Sequence, residues 1–208
     1  MKNYKGKFIT FEGSEGSGKS TQARLLSRYL KSKGKRVLHI REPGGVAISE
    51  KIRGILLDVK NKKMSDTTET LLYMAARAQL VEEIIEPALK KGKIVIADRF
   101  LDSTIVYQGY GNRVNLKLIH TLGKHVTQGI KPHLTFVFDI GVEKGLSRTG
   151  KTKDRIEQRS LFYHQRVRNG YLAIAKKEPG RIKVINAKGS KSEIQNRLRR
   201  YINRLLKI

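Results

Sequence analysis

Apolar positions recur along this chain with two periods. Short runs rich in Val, Ile and Phe predict strands over Lys7–Glu12, Arg36–Glu42, Lys93–Asp98, Leu134–Asp139 and Ile182–Asn186. Longer stretches with an apolar residue every third or fourth position predict helices over Ser20–Lys33, Ala47–Leu57, Thr67–Lys90, Leu116–Gln128, Arg155–Lys177 and Lys191–Leu206. In the last of these, Ile194, Leu198, Ile202 and Leu205 share one face, enough to pack on a sheet. Strand–helix alternation implies βαβ units. The expected fold class is therefore α/β, a five-stranded parallel sheet with helices on both faces, forming one domain over residues 1–208. Val142–Asp154 contains two glycines and little apolar surface, and reads as a mobile loop within a lid of about 142–157.

Charge changes this picture little. The chain has 208 residues with 44 Lys and Arg against 18 Asp and Glu, a formal charge of +26. Residues 141–208 hold +14 and residues 1–140 hold +12, so the excess is chain-wide. A basic surface attracts nucleic acid, but neither a Cys/His finger nor an aromatic ribonucleoprotein motif appears. The charge reads as a habit of the proteome, and no specific nucleic-acid partner is expected. Zero cysteines exclude disulfides, thiolate metal sites and a Cys nucleophile. The sequence has neither a long apolar run nor a secretory leader, so the expectation is a cytoplasmic protein with no membrane association.

Ligands of open parallel sheets bind beyond the carboxyl ends of the strands. The segment after the first strand is Gly13-Ser14-Glu15-Gly16-Ser17-Gly18-Lys19-Ser20, which fits G-x-x-x-x-G-K-[ST] between a strand and a helix. This is a P-loop. Its glycines let amide groups wrap an anion, Lys19 reaches terminal phosphates, and Ser20 ligates Mg²⁺. A nucleoside triphosphate with magnesium is expected here. A GTPase would need an N-K-x-D segment, and none is present. A small-molecule kinase fits a basic lid better.

Three further segments narrow the field: Arg41-Glu42-Pro43-Gly44-Gly45; Asp98-Arg99-Phe100 with Ser103, Thr104, Tyr107, Gln108 and Gly109; and Asp154-Arg155-Ile156-Glu157. With the P-loop they resemble thymidylate kinase over nearly the whole chain. The resemblance implies phosphorylation of dTMP by ATP with Mg²⁺, a five-stranded parallel sheet and a homodimer. The alternatives are another nucleoside-monophosphate kinase, or a P-loop protein that binds nucleic acid.

By that resemblance, Gly13 to Thr21 hold the triphosphate, and Glu15 serves a sugar hydroxyl or metal-bound water. Glu42 and Pro43 border the acceptor. Arg99 bridges the two substrates' phosphates, while Arg53 and Arg77 hold the acceptor, a task suited to the planar guanidinium fork. Asp98 ends an apolar strand, a usual place for a carboxylate that holds magnesium. Tyr73, one helical turn before Arg77, offers the face for thymine stacking. Gln108 reads the base edge, Thr104 touches base or sugar, and Tyr107 crowds the second carbon of the sugar. Glu12 is left open between a supporting and a direct role. One subclass of the family carries an Arg after the acidic residue of its P-loop. Gly16 stands there, which places this chain with the bacterial subclass whose lid supplies the cations: Arg148, Lys151, Lys153 and Arg155. Arg155 is the expected arginine finger, with Arg148 next and as an ATP contact.

Overall fold

The computed structural model describes residues 4–150 and 152–208. Five strands form one parallel sheet: β1 (Lys7–Gly13), β2 (Val37–Arg41), β3 (Ile94–Asp98), β4 (Leu134–Asp139) and β5 (Ile182–Asn186). Their order is β2-β3-β1-β4-β5, and the sheet is parallel, as the strand–helix alternation predicts. The helices are α1 (Lys19–Ser32), α2 (Ala47–Leu57), α3 (Asp66–Leu80), α4 (Glu86–Lys90), α5 (Leu101–Thr104), α6 (Leu116–Val126), α7 (Val142–Leu146), α8 (Leu161–Lys177) and α9 (Lys191–Leu206).

Alternation along β1 shows how the sheet is covered. Ile9 and Phe11 meet Leu26 and Leu30 of α1 and Leu198 and Ile202 of α9. Phe8 points to the other face, among Leu80, Val81 and Phe100. Thr10 shares that second face, and its hydroxyl lies 2.7 Å from the Thr135 hydroxyl of β4, so two buried polar groups satisfy each other. Glu12, next on this face, is completely buried near the carboxyl end of the sheet.

Three expected elements differ, and a fourth element was not foreseen. The helix foreseen over Thr67–Lys90 starts at Asp66, behind the cap that Ser65 gives to the Thr68 amide, and widens into a π-helical stretch over Val81–Ile85. Pro87 accounts for the widening, because it lacks an N–H and its ring would collide with the carbonyl four residues back in a regular helix. The helix foreseen from Arg155 begins only at Leu161, capped by Ser160. Before it, the Asp154 carboxylate takes the Ile156 and Glu157 amides and closes a turn. The segment expected to be a loop from Val142 opens with α7, where Val142 and Leu146 lie one turn apart and the element packs beside α8. The stretch after β3 is helical too, through α5 and a π-helical segment over Ile105–Gly111.

Candidate active site

Beyond β1 the chain turns sharply into α1. Gly13 adopts φ 137°, and a Cβ there would lie 2.5 Å from the Phe138 carbonyl oxygen. Gly16, at φ 63°, is hemmed in further: a Cβ would overlap the Gly145 carbonyl oxygen and lie 3.1 Å from Arg148 Cβ. The end of α7 therefore rests directly on the loop, and Gly145 in turn has no room for a side chain against the Glu15 carbonyl. Helices α3, α8 and α9 begin with a serine cap, whereas α1, with Gly18 at its N-cap, has neither a side-chain cap nor an acid in its first turn. Its leading amides and the positive end of its dipole are left for an anion.

Lys19 opens that helix and is buried, with Nζ 4.0 Å from Glu15. Burial, with Arg99 nearby, pushes its ammonium below the usual lysine range, and Glu15, Asp98 and Glu12 oppose that shift. Burial raises the Glu15 carboxyl, but Arg99 and Lys19 outweigh it and hold the group near 2. Arg99 has φ 73° and ties the region together. Its Nη1 donates to the Gly13 carbonyl at 3.1 Å and to Ser103 and Tyr171 hydroxyls; its Nη2 donates to Glu15 at 2.8 Å and Tyr107 at 2.9 Å. Glu12 supports this cluster from beneath, accepting from the Phe100 amide, Ser103 and Tyr171. Burial and the charge of Asp102 lift its carboxyl to about 7.

Next to the cradle lies a cleft with polar and aromatic walls. Glu15, Arg53, Tyr73, Arg99, Thr104 and Gln108 face into it, with Tyr107, Glu42 and Pro43 also in its walls. The Arg53 guanidinium is steadied by the Pro43 carbonyl at 2.9 Å. The Thr104 hydroxyl is buried with no protein partner among the described residues.

Two of the residues selected from sequence are placed differently from the rest. Arg77 does not line the cleft. It is 2% exposed and fully engaged, with Nε donating to Glu42 at 2.8 Å, Nη2 to the Phe100 carbonyl and the guanidinium near the Phe100 ring. Arg155 is likewise turned inward. Its Nη1 lies 2.6 Å from Glu69, its Nε donates to the Leu56 carbonyl, and its amide to the Leu57 carbonyl. In this conformation it is not an extended lid cation, whereas Arg148 is exposed beside Gly16. Lys153 is exposed, and Lys151 lies outside the described residues. The sequence named Ser103, Asp154 and Ile156 only as parts of the segments that carry the resemblance, and it did not point to Glu69 or Tyr171. Glu69 had a signal, because it precedes Tyr73 by one helical turn on the same face.

The family model for thymidylate kinase matches residues 11–198. A thymidylate kinase of Symbiobacterium thermophilum is 48% identical over 200 residues, covering 96% of this chain and 94% of its own. One from Geotalea daltonii is 49% identical over 190 residues, covering 87% and 89%. Among solved structures, thymidylate kinase of Ehrlichia chaffeensis superposes with a TM-score of 0.79 at 35% identity, over 95% of this chain and 98% of that one. Those matches span the sheet, the cradle and the cleft together, so the chain belongs to the thymidylate kinase family, enzymes that transfer a phosphoryl group from ATP to dTMP with Mg²⁺.

Proposed function

We propose that the transfer runs between the cradle and the cleft, with Arg99 spanning the two. One observation carries this reading: a single guanidinium reaches the Gly13 carbonyl of the cradle and the Tyr107 hydroxyl of the cleft, and Glu15 links it to Lys19. The triphosphate lies along Gly13 to Thr21, with Lys19 neutralising oxygens of the group in flight. In the cleft, Tyr73 stacks on thymine, Gln108 meets its edge, and Thr104 offers its hydroxyl. Tyr107 and Glu15 flank the sugar, and Arg53 with Arg99 hold the acceptor phosphate. Alignment and charge neutralisation are what phosphoryl transfer requires of a protein.

The residues present suit magnesium. Asp98 Oδ1 is buried at the end of β3 with no partner among the described residues, and the Ser20 hydroxyl is exposed at the start of α1. No cluster of three or more acidic, His or Cys groups exists among the described residues. One carboxylate and a hydroxyl match an ion that keeps most of its shell as water and phosphate oxygen. When bound, the ion screens the charge of the phosphate oxygens.

The moving cation of the lid is Arg148 rather than Arg155 in this reading, with residues 142–157 forming a lid on a single domain. Arg155 would have to leave a buried carboxylate to serve, a cost of several kcal/mol. Arg148→Ala lowers turnover by about tenfold or more with unchanged thermal stability. Arg155→Ala chiefly lowers the melting temperature. Steady-state kinetics and calorimetry on both variants check this. A stable Arg155→Ala enzyme with the larger loss of turnover would reverse the assignment.

The assembly is proposed to be a cytoplasmic homodimer. Ile48 and Ile55 of α2, Leu71 of α3 and Leu118 of α6 are each 45–51% exposed, and α3 packs beside both other helices. Light scattering should return twice the chain mass of 23.6 kDa, and a monomer at micromolar concentration contradicts the proposal. No helix among the described residues is long and apolar enough to cross a membrane.

A further inference from the structure

Glu69 has no exposed surface, and its two carboxylate oxygens face different parts of the molecule. Oε1 accepts from Gln108 Nε2 and Asn112 Nδ2, both at 2.9 Å. Oε2 lies 2.6 Å from Arg155 Nη1 and 3.0 Å from Arg159 Nη2. A carboxylate only accepts hydrogen bonds, so it meets the NH₂ group of Gln108 and never its carbonyl. Turning the Gln108 amide over would set two acceptor oxygens against each other in a buried site, leaving both unsatisfied. The amide therefore has one permitted orientation, and its Oε1 is left to the cleft that Gln108 lines.

We propose that Glu69 is a positioning residue for base selectivity. By locking the Gln108 amide, it presents an acceptor to the N3–H of thymine and excludes cytosine. The ring nitrogen of cytosine at that place is itself an acceptor, and its exocyclic group is a donor where thymine has an oxygen. A freely turning amide would serve either base. Uracil carries the same edge as thymine, so Glu69 acts on thymine and uracil against cytosine, and not between the first two. The inference rests on the reading that thymine lies beside Gln108.

The test is the ratio of kcat/KM for dTMP over dCMP in Glu69→Gln, a near-isosteric change that lets either end of the Gln108 amide face position 69. That ratio should fall by about tenfold or more, since a site built to hydrogen-bond discriminates by leaving the wrong partner unpaired. The dTMP:dUMP ratio should stay unchanged, whereas a purely structural role would lower all three activities together. Should Glu69→Gln fail to fold, Glu69→Gln with Arg159→Gln keeps the cluster's net charge and carries the same test. A folded variant that retains the parental dTMP:dCMP ratio within about threefold overturns the proposal. Gln108→Leu separates the two readings. If it also leaves that ratio intact, thymine does not lie beside Gln108 and both readings fall. If it alone collapses the ratio, only the role of Glu69 falls.

Discussion

Lys19→Ala is expected to lower turnover by about 100-fold or more, the scale of losing one preorganised electrostatic contact to a transition state. The side chain is buried at the head of α1, where charge interacts through little water. Burial and Arg99 disfavour its positive charge, and three carboxylates, Glu15, Asp98 and Glu12, sustain it. A triphosphate brings charged oxygens within hydrogen-bond reach of the ammonium, so the lysine is better matched once they arrive. The match improves further as charge spreads over the transferring group, so the loss falls on kcat more than on binding. The KM for dTMP should move little, because Lys19 does not line the acceptor cleft. Steady-state kinetics at saturating ATP, beside a thermal melt to verify folding, check this. A folded Lys19→Ala enzyme with turnover within about threefold of the parent would remove the phosphate cradle from Gly13–Ser20.

The second large effect is on stability. Arg77→Met should reduce the free energy of unfolding by about 3–5 kcal/mol, the cost of stranding one member of a buried ion pair. Both partners are nearly sealed, with side chains 2% and 4% exposed, and 2.8 Å separates Arg77 Nε from Glu42. Burial pushes the Glu42 carboxyl above its usual range even though Arg77 pulls it down, so without Arg77 nothing offsets the burial. The pair also clamps the chain after β2 to α3, and the Glu42–Pro43 wall of the cleft hangs from that clamp. Urea denaturation of Arg77→Met measures the loss. Glu42→Gln added to Arg77→Met should recover part of it, since a neutral amide is cheaper to bury than a lone carboxylate. If Arg77→Met is as stable as the parent while its KM for dTMP rises steeply, Arg77 holds substrate directly, as the resemblance implied.

These two residues mark the reach of sequence reasoning. Lys19 was legible because the cradle is local: eight consecutive residues and their flanking strand and helix define it. The sheet was legible for the same reason, each strand declaring itself by its own short run of apolar side chains. Arg77 was legible as a position, but its partner lies 35 residues earlier on another element, and no local pattern shows that Glu42 occupies it. Arg155 illustrates the same limit. Its motif sits in a basic, glycine-containing stretch, yet Glu69 and Leu56, 86 and 99 residues away in the chain, draw it into the interior. Gly16 looked like a vacant place where an Arg could be exchanged with the lid. The structure fills that place with the Gly145 carbonyl, so Gly16→Arg would displace α7 rather than restore a cation. The helix interrupted near Pro87 and the turn closed by Asp154 carry local signals of their own, in a proline and an Asx turn.

Cradle and cleft are proposed to form one site, with ATP on one side and dTMP on the other. The most direct test is ADP release by the purified chain with ATP and Mg²⁺, measured in turn against dTMP, dUMP, CMP, UMP, AMP and GMP. dTMP should be the best acceptor, with dUMP behind it and little turnover of the ribonucleotides and purines. A preference for CMP, UMP or AMP over dTMP would contradict the proposal.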